Sequence, residues 1–96
     1  MIRTIADDTT RDIWNGVTRK AARRVPRALW PVMRRKLDQV DAVTQLEDLR
    51  IPPGNRPHSL SEDLAGYYAI RVNDQYRFIF RFESHDAYDV RCTDYH

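Results

Sequence analysis

Residues 66–92 read GYYAIRVNDQYRFIFRFESHDAYDVRC, and along them side-chain character switches at every second position. Tyr68, Ile70 and Val72 alternate with Tyr67, Ala69 and Arg71. Asn73-Asp74 is a turn signal, after which Tyr76, Phe78, Phe80 and Phe82 alternate with Arg77, Ile79, Arg81 and Glu83. A second turn falls at 84–86, and Tyr88, Val90 and Cys92 then alternate with Asp89, Arg91 and Thr93. A period of two broken by short turns predicts three antiparallel strands. One face is apolar and fit to be covered by helices; the other bears Arg77, Arg81 and Arg91.

Upstream of this meander, residues 44–66 read as loop, with a single turn at 46–49. Pro52, Pro53, Gly54, Asn55 and Pro57 all interrupt regular structure. So proline-dense a stretch inside a small domain marks a tether or a functional loop. Before it, Leu29, Val32, Met33, Leu37 and Val40 recur at spacings of three and four, the stripe of an amphipathic helix. Pro26 suits the first position of that helix. Pro31 requires either that the helix start near it or that it bend there. Asp7 or Asp8 caps a shorter helix carrying Ile13 and Trp14, stopped by Gly16. Residues 17–24 form a basic connection, and the apolar, β-branched residues 1–5 suit a first strand. The expected architecture is α+β: an N-terminal strand, two helices, then a three- to four-stranded antiparallel meander packed on the helices.

The chain has 96 residues, 42% hydrophobic and 31% charged, which suits one globular domain spanning 1–96 and excludes disorder and coiled coil. No uncharged apolar run approaches the roughly 20 residues of a membrane span. Asp7 and Asp8 leave no room for a signal-peptide core, so a cytoplasmic location is expected. The single cysteine, Cys92, is expected to be a small buried hydrophobe.

Charge is uneven. The formal net charge is +2, yet residues 19–36 hold eight basic side chains and no acid. Fourteen of the sixteen basic residues are arginine, whose planar fork grips phosphate or carboxylate at two points. Arg23, Arg24, Arg34 and Lys36 in this run, with Arg71, Arg81 and Arg91 on the sheet, are candidate contacts for nucleic acid. A solvated helix face and cross-strand pairing with Asp89 and Glu83 are the structural alternatives.

The sequence offers no metal ligand set. Cys92 and His96 lie roughly 13 Å apart on a strand, and neither paired nuclease carboxylates nor a phosphate-binding glycine loop is present. No cofactor is expected. Metal-free RNA cleavage needs a base for the 2′-OH, an acid for the leaving 5′-oxygen, and cations on the phosphate. The chain has these types at His58, Arg77, Asp94, Tyr95 and His96.

Three segments together, LEDLRIPPGNRPHSL at 46–60, GYYAIRVNDQYRFIFRF at 66–82 and DAYDVRCTDYH at 86–96, resemble the HigB toxins of HigBA toxin–antitoxin systems, within the RelE superfamily. The opening MIRTI fits as well. The resemblance implies a RelE-like microbial-RNase fold and a ribosome-dependent endoribonuclease that cuts mRNA in the ribosomal A site, beside 16S rRNA. It also implies a HigA-like helix-turn-helix antitoxin, with operator DNA reached only through the toxin–antitoxin complex, and no membrane partner. By position, His58 matches the family's loop histidine, Arg77 its strand arginine, and Asp94, Tyr95 and His96 its terminal triplet. The resemblance assigns proton transfer to His58 and His96 and phosphate charge to Arg77. Asp94 then orients a histidine, and Tyr95 stacks on a base or assists proton transfer.

One departure stands out. Where the family reads LKGD, this chain reads Leu60-Ser61-Glu62-Asp63, trading a cation and a glycine for a neutral residue and an anion. That exchange weakens backbone attraction to RNA. It supports a second expectation, a catalytically weakened or inactive protein that keeps antitoxin or ribosome binding. A ribosome-independent RNase is a third.

Overall fold

The computed structural model describes residues 1–94. Its elements are α1 (Asp8–Asn15), α2 (Trp30–Ala42), β1 (His58–Ser59), β2 (Tyr67–Arg71), β3 (Tyr76–Glu83) and β4 (Asp86–Asp94), with short 3₁₀ turns in the connections. The four strands form one antiparallel sheet in the order β1-β2-β3-β4. The loop expected over 44–66 therefore holds the short edge strand β1 near its end, with His58 opposite Ala69 and Ser59 opposite Tyr68. At the other edge the N-terminal segment lies parallel to β4, Ile2 bridging Ala87 and Ile5 bridging Val90. Arg3 N donates to Ala87 O at 2.8 Å and Ala6 N to Val90 O at 2.9 Å.

Both helices form where the apolar spacing places them. Asp7 leads α1 in extended backbone, and Gly16 ends it at φ 74°, the left-handed conformation that glycine adopts freely. For α2 the start differs from expectation. Pro26 opens a 3₁₀ turn, Arg27–Leu29, and the α-helix begins at Trp30 with Pro31 in its first turn. There the missing N–H has no helical acceptor to lose, so the helix needs no bend.

The helices cover one face of the sheet. Ile13, Met33, Leu37, Val40, Ile70, Phe78, Phe80 and Val90 are fully buried between the layers. Removing each such side chain from water contributes about 2 kcal/mol. Trp14 Nε1 donates to Asp38 at 2.9 Å and joins α1 to α2.

The alternation expected along β4 holds only in part. Ile79 pairs with Arg91 but Arg81 pairs with Tyr88, so β4 carries one extra residue there. Asp89 sits in this bulge at φ 55°. The shift leaves Ala87, Val90 and Cys92 facing the core and moves Tyr88 to the arginine face, where the Arg81 guanidinium lies 5.5 Å from its ring centre. Tyr88 thus does not share a face with Val90 and Cys92, because a bulge resets a period of two.

Candidate functional site

The sheet register sets the site. His58, Ala69, Ile79 and Arg91 form one row across the strands, and Arg71, Arg77 and Thr93 form the next. Over the end of these rows lies a cavity of about 420 Å³ lined by Arg56, His58, Arg71, Asp74 and Arg77. His58 and Arg77, far apart in sequence, meet here because two hairpins bring their strands into one sheet.

His58 is exposed, and its Nδ1 lies 3.0 Å from the Arg56 carbonyl oxygen. A carbonyl only accepts, so Nδ1 carries the hydrogen and the neutral ring keeps its lone pair at Nε2. Arg77 is half-buried, its Nε donating to Thr93 Oγ1 at 3.3 Å. Arg71 pairs with Asp74 on the β2–β3 turn. Arg56 stands in left-handed backbone at φ 43° and is exposed. It was not among the expected contacts, because it precedes β1 and no strand period reaches it.

Beneath the site is an anchor that the sequence reading missed. Asn55 is fully buried, with its Nδ2 donating to Gln39 Oε1 at 2.9 Å and to Leu49 O at 3.1 Å. Its Oδ1 accepts from the Lys36 ammonium, and Gln39 Nε2 reaches Ile51 O. The proline-rich loop is therefore tied to α2 immediately before Arg56 and His58. Burial, with Arg35 and Arg71 nearby, holds the Lys36 ammonium below its ordinary value. Lys36 serves the loop anchor in this structure.

The other candidates occupy varied settings. Arg81 Nε donates to Asp89 Oδ2 at 3.0 Å and its Nη1 to Glu83 at 3.0 Å. Tyr67 OH donates to the same Asp89 oxygen at 3.3 Å, and Arg91 lies 5.4 Å from the Tyr67 ring centre. The hydrogen bond from Arg81 holds the Asp89 carboxyl below its ordinary value. Arg23 and Arg24 are exposed on a 3₁₀ turn, and Arg34 is half-buried beside Gly16. Asp94 ends β4, exposed, with Oδ2 accepting from Gln75 Nε2 at 3.1 Å. It is not among the residues lining the cavity. Tyr95 and His96 lie outside the described residues. Burial pushes the Cys92 thiol up to about 12, in keeping with the small hydrophobe expected there.

The Ser61-Glu62 departure has a backbone counterpart. Glu62 stands at φ 57°, so the conformation a glycine adopts freely persists with a side chain in it.

Comparisons with known proteins agree with this architecture. Residues 6–96 match the family model described as the RelE-like toxin of type II toxin–antitoxin system HigB. Toxin HigB-1 of Vibrio cholerae is 46% identical over 63 residues, covering 66% of this chain and 66% of that one. An uncharacterized protein of Haemophilus influenzae is 40% identical over 64 residues, covering 67% of this chain and 63% of its own. The aligned part spans just under two thirds of the length of these curated relatives. Among solved structures, the YoeB–YefM complex of Staphylococcus aureus superposes with a TM-score of 0.61 at 14% identity, covering 100% of this chain and 98% of that one. YafQ of E. coli gives 0.56 at 12% identity, covering 98% and 93%. These two likenesses establish a shared fold. No helix among the described residues is long and apolar enough to cross a membrane. With the family model covering nearly its whole length, the chain belongs to the HigB family of RelE-like toxins of type II toxin–antitoxin systems.

Proposed function

We propose that this toxin is a ribosome-dependent mRNA interferase that cuts mRNA in the A site by metal-independent acid–base chemistry. The observation that carries the reading is His58, with its tautomer set by the Arg56 carbonyl, in one cavity with Arg56, Arg71 and Arg77. In the proposed reaction Nε2 of His58 takes the proton of the 2′-OH. The 2′-oxygen then bonds to phosphorus, and the P–O5′ bond breaks. The leaving 5′-oxygen takes a proton from His96, the residue matching the family's terminal histidine. The products are a 2′,3′-cyclic phosphate and a 5′-hydroxyl. Guanidinium groups bind the non-bridging oxygens, where negative charge grows as the new bond forms. In this reading Asp94 tunes His96, and Tyr95 stacks on a base.

The exposed Arg23 and Arg24 and the sheet arginines give the RNA and 16S rRNA a basic docking surface. A HigA-like helix-turn-helix antitoxin covers part of the toxin, and the pair meets operator DNA through the antitoxin. The YoeB–YefM neighbour, a toxin in complex, supports such a partner. The site of action is the cytoplasm.

Induced expression is expected to stop growth and to leave cuts within codons, bearing cyclic phosphate ends. His96→Ala is expected to abolish both while the protein stays folded; full toxicity in that variant would remove His96 from the chemistry. Ser61 and Glu62 favour a second reading, a toxin fold with weakened catalysis. Toxicity that appears only after Ser61→Lys with Glu62→Gly would establish it.

A further inference from the structure

His58 lines two cavities. Besides the arginine-bearing one, it borders a cavity of about 520 Å³ whose wall includes Gln45, Glu47, Arg50 and Tyr68. The two differ in charge. Among the described residues, the first holds Arg56, Arg71 and Arg77 against the carboxylate of Asp74. The second sets the one guanidinium of Arg50 against the one carboxylate of Glu47 and adds a neutral amide and an aromatic ring. A nucleotide of single-stranded RNA has the same division, an anionic phosphate joined to a neutral, flat base rimmed with donors and acceptors. Electrostatics sends the phosphate to the arginines, and the base is left for the cavity with the ring, the amide and the carboxylate.

The support of this second cavity is firm. Gln45 leads, and Glu47 and Arg50 ride on, the 3₁₀ turn Leu46–Arg50, which is fixed by the fully buried Leu49. Leu49 O accepts from Asn55, the same side chain that anchors the segment leading to Arg56 and His58. One buried amide thus holds both cavities in a fixed relation.

We propose that the cavity bounded by Gln45, Glu47, Arg50 and Tyr68 is a nucleobase subsite for the nucleotide adjoining the scissile phosphate, selecting through Glu47 a base that bears an amino group. A carboxylate accepts from the amino groups of cytosine, adenine or guanine, whereas uracil presents a carbonyl there. The proposal rests on the RNA-cleaving reading and deepens it by adding base selectivity.

Titration of isotope-labelled protein, followed by backbone amide shifts in NMR, tests it with three probes: inorganic phosphate, CMP and UMP. Phosphate is expected to shift Arg56, Arg71 and Arg77 alone. CMP is expected to shift these and also Gln45, Glu47, Arg50 and Tyr68, binding at least about fivefold more tightly than UMP. Glu47→Ala, at an exposed position, is expected to erase the CMP preference and leave the phosphate response intact. CMP shifts confined to the phosphate-responsive set, or equal affinity for CMP and UMP, would overturn the subsite. The titration reads binding and not cutting, so a protein that leaves mRNA whole refutes the nuclease reading without altering this result.

Discussion

Nδ1 of His58 is held by a backbone carbonyl two residues away, so the local turn sets the ring's tautomer. Arg56 and Glu62, on either side of it in sequence, both occupy left-handed backbone, at φ 43° and 57°. Because a Cβ is strained in that region, Glu62→Gly is expected to raise stability by about 1 kcal/mol in urea unfolding. The Arg81–Asp89 pair gives a pH prediction. Arg81 depresses the Asp89 carboxyl in the folded state. Its stabilisation is therefore present above the unfolded-state value of about 3.9 and is lost as pH falls through the lower folded value. Asp89→Asn is expected to be less stable than the natural protein at pH 6 and to lose less on acidification to pH 2, as followed by thermal melting. His58 and Arg77 were legible as residues because their types and motif positions carry chemistry. The backbone angles of Glu62 and Asp89 were not, since neither residue type demands a positive φ.

Strands and helices followed from periodicity because burial of one face is what writes a period into a sequence. The exceptions are local. Pro26 and Pro31 both suit a helix start, and the sequence alone does not choose between them; the α-helix begins at Trp30, with Pro31 in its first turn. The Asp89 bulge shifts β4 by one residue and carries Tyr88 to the other face, which no count of apolar residues reveals. The proline-rich segment had no period at all, and its order comes from the buried Asn55. Asn55→Ala strands the Leu49 carbonyl, Gln39 and Lys36 without their partner. It is expected to cost about 2–3 kcal/mol in urea unfolding, and to lower the cleavage rate even at temperatures where the variant remains folded.

Across the whole molecule the sheet separates two jobs, with the core on the helix side and charge on the other. That charge is not uniform. Arg81 is committed to Asp89 and Glu83, whereas Arg56 is exposed at the cavity rim. Arg56→Ala is expected to weaken RNA binding across sequences and to reduce the slope of log affinity against log salt by about one. Arg81→Ala is expected to lower stability while changing that slope less; equal slope losses for the two would contradict this division. The fold class was legible in the sequence; the meeting of His58 with Arg77 was not, since the short strand β1 that sets His58 beside the sheet lies in a segment that reads as loop. The division of labour among the arginines was not, because it depends on which carboxylate each one meets in space. The most direct test of the central claim is the single-turnover rate at which purified protein cuts mRNA on programmed ribosomes, for the natural chain and for His58→Ala. The account predicts cutting by the natural chain and a loss of about 10²–10⁴-fold in the variant. Equal rates for the two proteins would contradict it.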